Sequence, residues 1–378
     1  MNFEEHAAKP LLRAEGIPTP KGIVAGSAEE AREAAHKLGP CVVKAQVTAG
    51  KRGKAGGIRL AADSNEAYEH AQAIMGMRIG GLLVERLLVE QQVAIEREFY
   101  AAVLNDAASK CPRVLFSAVG GMDIEELASQ QPEALHSRSV DIRSGLQLDD
   151  ARNLVAVPGL ESLRDPLADI LLRLYRVYAG NDAELLEINP LCLAADGRIL
   201  ALDCKFTLDD SAVKRREALA ALGTAEPLSE HEAQGQELGL KFIQLEGDIA
   251  VLANGAGLTM TTMDVIRHLG GEPANFLEIG GDAYTRATAA LKLVLDNPRV
   301  KSLVVNFCGA FARTDVMTEG VIKAVQELQP GIPMYFSIHG TGARLAREML
   351  KAQLGLASFA TMDAAIRAAN AVPGRSAS

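Results

Sequence analysis

A glycine-rich basic loop is the first feature of this sequence whose residue types suggest chemistry. It covers residues 49–57 and directly follows a β-rich segment. Five basic side chains and four glycines lie within residues 44–59, the basic ones being Lys44, Lys51, Arg52, Lys54 and Arg59. Glycine lets backbone N–H groups approach an anion while the cations neutralise it, so a local basic pocket for a polyphosphate is expected. The loop lacks the GxxxxGK[ST] pattern of a Walker A motif, and a solvated basic turn is the alternative interpretation.

Glu187, Asn189 and Asp203 form a second candidate site. Alternation along the apolar segment 185–193 puts Glu187 and Asn189 on one face of a strand. An Ala-Asp-Gly turn separates this segment from the apolar residues 198–206, which predicts a hairpin with Asp203 on the partner strand. Such oxygen ligands are those that Mg²⁺ prefers beside substrate phosphates. A simple Asn-Pro turn at the end of the strand is the alternative interpretation.

Three glycine-containing turns at predicted strand ends form a third candidate site. They cover residues 254–257, 306–313 and 339–342. In open α/β sheets ligands bind at the carboxyl ends of the strands, so these turns suggest an edge that binds an anion or an acyl group. Each turn by itself is also compatible with a plain tight connection. The first turn fails the GxGxxG dinucleotide fingerprint because Met260 occupies the last glycine position, which disfavours a nicotinamide oxidoreductase.

In the N-terminal part of the chain, a mixture of helices and strands must position these residues. Ser27 and Glu30 form a capping-box pattern at the start of a helix over 27–38. Strands are predicted at 41–47, 82–90, 98–104 and 113–118, and a longer helix at 161–178. Residues 207–236 are polar, and we interpret them as a connector with helical pieces.

From residue 248 onward, strands and helices alternate. Strands are predicted at 248–254, 274–280, 302–307 and 334–339, and helices at 258–269, 284–296, 315–328 and 342–353. This alternation predicts a parallel, doubly wound sheet with right-handed crossovers. Residues 373–378 predict a frayed tail. The fold class is therefore α/β, with domains over 1–236 and 237–378.

Composition and charge narrow the class of protein. The 378 residues are 48% hydrophobic and 23% charged, which excludes wholesale disorder and suits two or three domains. The net charge of −9 argues against a non-specific nucleic-acid binder and against binding to an anionic membrane. No apolar run is long enough to span a membrane, and the acidic start lacks the apolar core of a signal peptide. The five scattered cysteines predict reduced thiols and a cytoplasmic protein.

Several segments together resemble the ADP-forming succinate–CoA ligase β subunits. The similar segments are MNFEE, AKPLL and GIPTP near the start, VVKAQVTAGKRGKAGGI (42–58), GGMDIEE (120–126), LEINPL (186–191), ALDCKFTLDD (201–210), NGAGLTMTTMD (254–264) and GGEPANFLEIGG (270–281). The similarity is colinear over essentially the whole chain, and the combination is highly specific. The resemblance implies a two-lobed α+β ATP-grasp nucleotide domain followed by a flavodoxin-like, doubly wound ligase domain.

The resemblance also implies roles for individual residues. It puts the nucleotide against Lys44, Lys51, Arg52, Gly53, Glu90, Val93 and Glu98. It assigns one Mg²⁺ ion per nucleotide site to Asn189 and Asp203, and it makes Glu187 the catalytic carboxylate near a phosphohistidine. It puts the carboxylate substrate and its phosphate at Asn254, Ala310, Phe311 and Ala312.

The implied reaction needs a partner. A histidine on a separate α subunit, which also holds the CoA site, takes the γ-phosphoryl of ATP. The phosphohistidine passes it to a small carboxylic acid, and the CoA thiol then displaces phosphate from the acyl phosphate. Catalysis of this kind depends on positioning and charge neutralisation.

This sequence departs from the family pattern at several positions. Lys51 replaces a glycine of the usual GGRGK loop, and Val119 replaces a glutamate. The usual NIFGGIVR becomes NFCGAFAR, and the usual RLEGTN becomes SIHGTG at 337–342. These changes alter the shape and charge of the acyl-phosphate edge. Succinate is the expected acid, malate or a sulfonated acid is the alternative, and a non-catalytic nucleotide-binding paralogue is a further alternative.

Overall fold

Two compact units make up the chain, Met1–Glu226 and Pro227–Ser378. The structure is a computed structural model, and it describes residues 1–225, 228–279 and 286–372. The predicted boundary at residue 236 lies too late in the chain. The helix Glu230–Glu237 belongs to the second unit, where Glu232 Oε1 accepts a hydrogen bond from the backbone N–H of Gln244 at 3.1 Å.

The first unit combines helices with two main sheets. Its helices are α1 Glu5–Ala14, α2 Ala28–Leu38, α3 Ser64–Ile74, α4 Ile124–Gln130, α5 Leu148–Leu154, α6 Arg164–Gly180 and α7 Glu217–Ala220. Its strands are β1 Gly22–Ala25, β2 Cys41–Ala45, β3 Ile58–Ala61, β4 Arg78–Ile79, β5 Leu82–Leu83, β6 Leu87–Gln91, β7 Ile95–Asp106, β8 Cys111–Ser117, β9 Leu135–Ser139, β10 Ala183–Ala194, β11 Ile199–Ala201 and β12 Lys205–Leu208.

The smaller sheet of this unit has the order β1-β6-β2-β3, and its neighbouring strands are antiparallel. The helices α2 and α3 pack on one face, against a core that includes Val43 and Val89. Because side chains alternate along a strand, Lys44 and Glu90 lie on the opposite face. The predicted cap of α2 is confirmed, since the Ser27 hydroxyl accepts a hydrogen bond from the Glu30 N–H.

The larger sheet has the order β11-β10-β7-β8-β9, and β12 also pairs with β10. Leu186 and Ile188 of β10 are fully buried in the core that α6 covers. Alternation therefore turns Glu187 to the other face, where its neighbours on β7 are Tyr100 and Ala102. The predicted hairpin is confirmed, because β10 and β11 pair antiparallel across the predicted turn.

Two predicted strands are each divided. The predicted strand 82–90 becomes β5 and β6, because β4 and β5 form a small hairpin of their own. The predicted strand 198–206 becomes β11 and β12. The ladder of β10 with β7 shifts register between Ile188 and Leu191, and the N–H of Leu202 bonds to the carbonyl of Pro190. The segment between β11 and β12, which contains Asp203, therefore lies outside the regular ladder.

The second unit is built around a parallel sheet. Its helices are α8 Glu230–Glu237, α9 Ala256–His268, α10 Ala287–Leu295, α11 Thr314–Leu328, α12 Ala343–Leu354 and α13 Met362–Asn370. Its strands are β13 Phe242–Gln244, β14 Ile249–Ala253, β15 Asn275–Leu277, β16 Ser302–Gly309, β17 Met334–Gly340 and β18 Ser358–Phe359. The order β14-β16-β17-β18, with parallel pairing throughout, confirms the predicted parallel sheet.

Helices cover this sheet over two separate cores. One core contains Leu252, Val305 and residues of α10, α11 and α12, and the other contains Val251 and Val304 with residues of α9 and α13. Side chains that alternate along these parallel strands thus contact helices on both faces of the sheet, as the doubly wound prediction requires. Residues 284 and 285 of the predicted helix, and the tail 373–378, lie outside the described residues. None of the described helices has the length and apolar character that a membrane crossing needs.

Candidate functional site

Six charged side chains of the first unit meet in what we call the ion cluster. Its members are Glu5, Lys9, Lys44, Arg52, Glu90 and Asp203. Five of them are almost inaccessible to solvent, whereas the Asp203 side chain keeps 32% of its surface exposed. Three cations face three carboxylates, so the formal charges of the whole cluster balance. Buried ions persist only when they are paired and hydrogen-bonded, which is the condition met here.

Lys44 lies at the centre of the ion cluster. Its Nζ donates to Glu5 Oε1 at 2.9 Å, to Glu90 Oε2 at 2.6 Å and to the carbonyl of Leu202 at 2.6 Å. Burial alone would lower the pKa of Lys44, but the neighbouring carboxylates outweigh burial and raise the pKa above its ordinary value. The ammonium group therefore stays charged.

Arg52 connects the glycine loop to the second candidate site. Its Nη2 donates to Glu5 Oε2 at 2.7 Å and to Asp203 Oδ1 at 2.6 Å, and its Nη1 donates to the carbonyl of Ala45 at 2.9 Å. The sequence separated Arg52 from Asp203 by 151 positions, and the fold brings them into contact. Two sites that the sequence predicted independently are thus one.

Glu5 and Lys9 of the ion cluster were missed by the sequence interpretation, which assigned them no role. Lys9 Nζ lies 2.6 Å from Glu5 Oε1 and 2.5 Å from Glu90 Oε1. One signal was available: Glu5 and Lys9 are charged residues four positions apart on the helix face that also carries Ala8 and Leu12, which are fully buried. Charged residues on a buried helix face are expected to have buried partners.

The remaining residues of the glycine loop are exposed. The Lys51 ammonium lies 3.1 Å from a carboxylate oxygen of Asp123, and its side chain keeps 66% of its surface exposed. Gly53, Lys54 and Arg59 are also exposed. The five cations therefore differ in environment: two are buried among carboxylates, while three face solvent.

Lys51 adopts a backbone conformation that favours glycine. Its φ angle is +62°, in the left-handed region where side chains other than glycine cost about 1 kcal/mol or more. A lysine at this position therefore forms the turn at a conformational cost. The ion pair with Asp123 offsets part of it.

The oxygen-rich patch is assembled around β10. Glu187 is partly buried, and burial raises the pKa of its carboxyl; Lys205 opposes this shift and Asp203 reinforces it. The Asn189 amide is held between two groups, accepting from the N–H of Gly121 at 2.8 Å and donating to the carbonyl of Met122 at 2.8 Å. The patch therefore includes the loop after β8 as well as the predicted strands.

The donor chemistry of this patch fits Mg²⁺. Asp203 supplies a carboxylate and Asn189 an amide oxygen, and Mg²⁺ is commonly held by one or two such groups together with phosphates and water. Both hydrogen bonds of the Asp203 carboxylate, from Arg52 and from the N–H of Cys204, fall on Oδ1. Among the described residues there is no cluster of three or more His, Cys, Asp or Glu side chains suited to a metal.

A cavity of about 530 Å³ lies beside the connection from β6 to β7. Its lining includes Pro20, Gln91, Val93, Ala94 and Leu200. Val93 packs in a small apolar cluster with Cys192, Ala194 and Leu200. The size and partly apolar lining of this cavity suit a planar heterocycle.

Glu98 lies close to the loop after β8. A Cβ atom added at Gly121 would come within 2.2 Å of Glu98 Oε2. The φ angle of Gly121 is +73°, so the backbone conformation favours glycine at this position. The loop that bonds to Asn189 is therefore held near Glu98.

Asn254 of the second unit is bonded to the backbone at the end of β16. Its Nδ2 donates to the carbonyl of Cys308 at 2.9 Å, and its Oδ1 accepts from the N–H of Cys308 at 2.8 Å. Asn254 follows β14, so this pair of bonds ties two strand ends together. In this structure its amide positions the 308–312 turn.

Close backbone contacts shape the same edge. The N–H of Thr341 donates to the carbonyl of Gly309 at 3.0 Å. A Cβ atom added at Gly340 would come within 2.0 Å of that carbonyl oxygen, so this approach requires glycine. The side chains beyond the contact differ: Ala310 and Phe311 are exposed, Phe311 fully, whereas Ala312 packs against the core.

The candidate residues thus fall into two groups. Lys44, Arg52, Glu90 and Asp203 share the ion cluster of the first unit, with Glu187, Asn189, Val93 and Glu98 in the same unit. Asn254 and residues 310–312 belong to the second unit.

Known protein families match the two units of this chain separately. Residues 2–193 match the ATP-grasp domain family, and residues 252–372 match the CoA-ligase family. The first match covers the ion cluster except Asp203, and the second covers the strand-end turns.

Full-length relatives and a solved structure extend this comparison. The chain is 43% identical to a GDP-forming succinate–CoA ligase β subunit of Thermus thermophilus, over 93% of each chain. It is also 43% identical to an ADP-forming succinate–CoA ligase β subunit of Chloroflexus aurantiacus, over 93% of each chain. Its fold is similar to that of ATP citrate lyase from Methanothrix soehngenii in complex with citrate and coenzyme A, with a TM-score of 0.70, 25% identity and coverage of 98% and 99% of the two chains.

Proposed function

Because this chain belongs to the succinate–CoA ligase β-subunit family, we propose that it is the nucleotide-binding subunit of an ADP-forming acid–CoA ligase. The reaction is the joining of a small carboxylic acid, succinate in the first instance, to the CoA thiol at the expense of ATP. The partner is an α subunit that carries the phosphorylated histidine and the CoA site. We predict a cytoplasmic location for the assembly.

The observation that carries this proposal is the contact of Arg52 with Asp203 beside Lys44. Two cations for phosphate and one carboxylate for a metal meet in the ATP-grasp unit. The cavity lined by Val93 would take the base, with Glu90 and Glu98 near it, and the loop of Lys51, Arg52 and Gly53 would cover the phosphates. We propose Asn189 and Asp203 as the residues that hold one Mg²⁺ ion, which when bound neutralises phosphate charge.

Glu187 is proposed as the catalytic carboxylate. Its raised pKa follows from burial, and a carboxyl with a raised pKa is suited to hydrogen-bonding or proton exchange with an imidazole. Its place beside Asn189 and Asp203 would put it next to the phosphoryl group that moves from ATP to the partner's histidine.

The second unit is proposed to bind the acid. Asn254 and the turn of Ala310, Phe311 and Ala312 would face the carboxylate and the phosphate, assisted by the N-termini of α9 and α11. The full exposure of Phe311 favours a second candidate substrate, such as malate or a sulfonated acid, because a large ring replaces the family's isoleucine there.

The test is a reconstituted complex of this chain with its α subunit. ADP release that depends on both CoA and an acid is measured over a panel containing succinate, malate and a sulfonated carboxylate, with ATP and GTP compared. Release with none of the acids contradicts the enzyme proposal and leaves the non-catalytic paralogue.

Titration of Mg-ADP into the full chain tests the nucleotide half separately. Asp203→Ala should weaken Mg-ADP binding while affecting metal-free ADP less, since the carboxylate is proposed to act through the metal. Equal weakening of both would argue against the metal role of Asp203.

A further inference from the structure

We propose that Glu5, on the first helix, is a positioning residue of the nucleotide site, whose buried carboxylate holds the Lys44 ammonium and the Arg52 guanidinium side by side for the phosphates. The inference rests on the proposed function, because it takes Lys44 and Arg52 as phosphate ligands. Neither the sequence motifs nor the family matches assign a role to Glu5.

The contacts of Glu5 divide between its two oxygens. Oε1 accepts from Lys44 Nζ at 2.9 Å and lies 2.6 Å from Lys9 Nζ, while Oε2 accepts from Arg52 Nη2 at 2.7 Å. Among the described residues, Glu5 is the one carboxylate bonded to both Lys44 and Arg52, since Glu90 bonds Lys9 and Lys44 and Asp203 bonds Arg52. Two cations that would repel each other are therefore brought together by one carboxylate.

The position of Glu5 is set by packing that does not involve the ion cluster. Ala8 and Leu12 of the same helix are fully buried in the core of the larger sheet. Phe3, just before the helix, packs edge-to-face against Phe206 with ring centres 4.9 Å apart, and its N–H bonds to the carbonyl of Phe206. The carboxylate thus reaches the smaller sheet from a helix anchored on the larger one, so its position is preorganised before any ligand arrives.

Lys9 and Glu90 complete the arrangement. Lys9 Nζ bonds to both oxygens of Glu90 and to the carbonyl of Leu202. Lys9 offsets the charge of Glu90, and Asp203 supplies the third carboxylate, so Glu5 can hold both Lys44 and Arg52 while the formal charge of the cluster stays zero. The cations that surround Glu5 outweigh its burial and hold its pKa well below the ordinary value, so the carboxylate is ionised at neutral pH.

Neutralising Glu5 would change the affinity for a phosphate in opposite directions, depending on whether Glu5 acts by positioning Lys44 and Arg52 or only through its own negative charge. Removing one negative charge near a phosphate site makes the local potential more positive, which by Coulomb's law would strengthen binding of a phosphate. Removing the group that holds two cations in place would weaken binding, because a misplaced ligand group costs affinity. The direction of the change in ADP affinity therefore separates the two accounts.

The experiment compares Glu5→Gln, Glu5→Asp and the matched control Glu4→Gln by titrating Mg-ADP and metal-free ADP into the full chain. Glu4 is the adjacent buried carboxylate, and it pairs with Arg86 and His6 instead of the ion cluster. We expect Glu5→Gln to weaken ADP binding about ten- to a hundred-fold and the shorter Glu5→Asp to weaken it less, while Glu4→Gln leaves it within about two-fold. In the reconstituted complex, the KM for ATP should rise while the KM values for CoA and the acid stay unchanged.

Unchanged or tighter ADP binding in folded Glu5→Gln overturns the inference. If circular dichroism shows that Glu5→Gln does not fold, Glu5→Asp provides the test, because it keeps the negative charge and only shortens the side chain. Wild-type ADP affinity in Glu5→Asp would then overturn the inference. Failure of the wild-type chain to bind Mg-ADP would instead refute the proposed function, so the two failures are distinguishable.

Discussion

The two groups of candidate residues are held by different forces. In the first unit, the ion cluster fixes Lys44 and Arg52 through buried charge pairs. In the second unit, the 308–312 turn is held through its backbone, by the Asn254 amide and by the close approach of Gly309 and Gly340. A buried charge demands a specific partner, whereas a turn held by its backbone leaves its outward side chains free.

This difference bears on the substitutions noted from the sequence at the turn. Ala310 and Phe311 replace a glycine and an isoleucine at the turn, and both side chains are exposed. At Lys44, Arg52 and Asp203 of the ion cluster, by contrast, one substitution would leave a charged partner unpaired.

The largest effect is expected from Arg52→Ala. It leaves Asp203 without its cation and Glu5 with fewer donors, so the free energy of unfolding should fall by about 3 kcal/mol. ADP binding should weaken about a hundred-fold, as for a truncated partner of a buried charge pair. Chemical unfolding and calorimetric titration measure the two effects. The control Lys54→Ala, an exposed cation in the same loop, should change stability by less than about 0.5 kcal/mol. Equal effects of Arg52→Ala and Lys54→Ala would contradict the claim that buried charge pairs hold the first group of candidate residues.

A smaller loss is expected from Asn254→Ala in the second unit. The N–H and carbonyl of Cys308 would lose their side-chain partner, at a cost of about 1 kcal/mol in unfolding free energy, because both hydrogen bonds are exposed and water can replace the amide. The KM for the acid should rise in the reconstituted complex while ADP affinity stays the same. Thr261→Ala, which removes an exposed hydroxyl bonded within its own helix, is the control. Weakened ADP binding in Asn254→Ala would contradict the division of roles between the units.

A pH-dependent effect is expected at Asp182, an ion pair of the first unit outside the ion cluster. Hydrogen bonds from Arg215 and Arg216 lower the pKa of Asp182 to about 2. The pKa in the unfolded chain is about 3.9, so the pair stabilises the fold above that pH, and its contribution disappears as the pH falls towards 2. Asp182→Asn should therefore be less stable than the wild type at pH 7, and the difference should shrink as the pH falls through 2 and vanish below it. Urea unfolding at several pH values measures the difference, with the exposed Asp149→Asn as control. A difference that is the same at every pH would show that the charge is not its cause.

The smallest effect on stability is expected from restoring the family residues with Ala310→Gly and Phe311→Ile. Both side chains are exposed, so the free energy of unfolding should change by less than about 0.5 kcal/mol. Acid selectivity should shift towards succinate, measured as the ratio of kcat/KM values for succinate and malate. A large loss of stability would mean that Ala310 and Phe311 make packing contacts, which would contradict the claim that the side chains of this turn are free.

Local patterns in the sequence were sufficient to predict many of the elements. The capping pattern of Ser27, the Asp-Gly turn of the β10–β11 hairpin and the alternation of strands with helices after residue 248 are each confirmed. All three are short-range signals, in which residues a few positions apart determine the conformation. The division of the predicted strands 82–90 and 198–206 was not visible, because it depends on pairing with β4 and on the register shift in β10.

The sequence by itself determined the α/β class, the family and the residue types available for binding phosphate and metal. Only the tertiary structure decided that Arg52 would meet Asp203 and that Glu5 and Lys9 would join them in one buried cluster. Hydrogen-bonded pairs that are distant in sequence leave no periodic trace, since they depend on how helices and sheets pack in three dimensions. The charges of Lys44 and Arg52 could be counted from the sequence. Which carboxylates balance them depended on the packing of α1 against the two sheets, because burial obliges each cation to find a partner there.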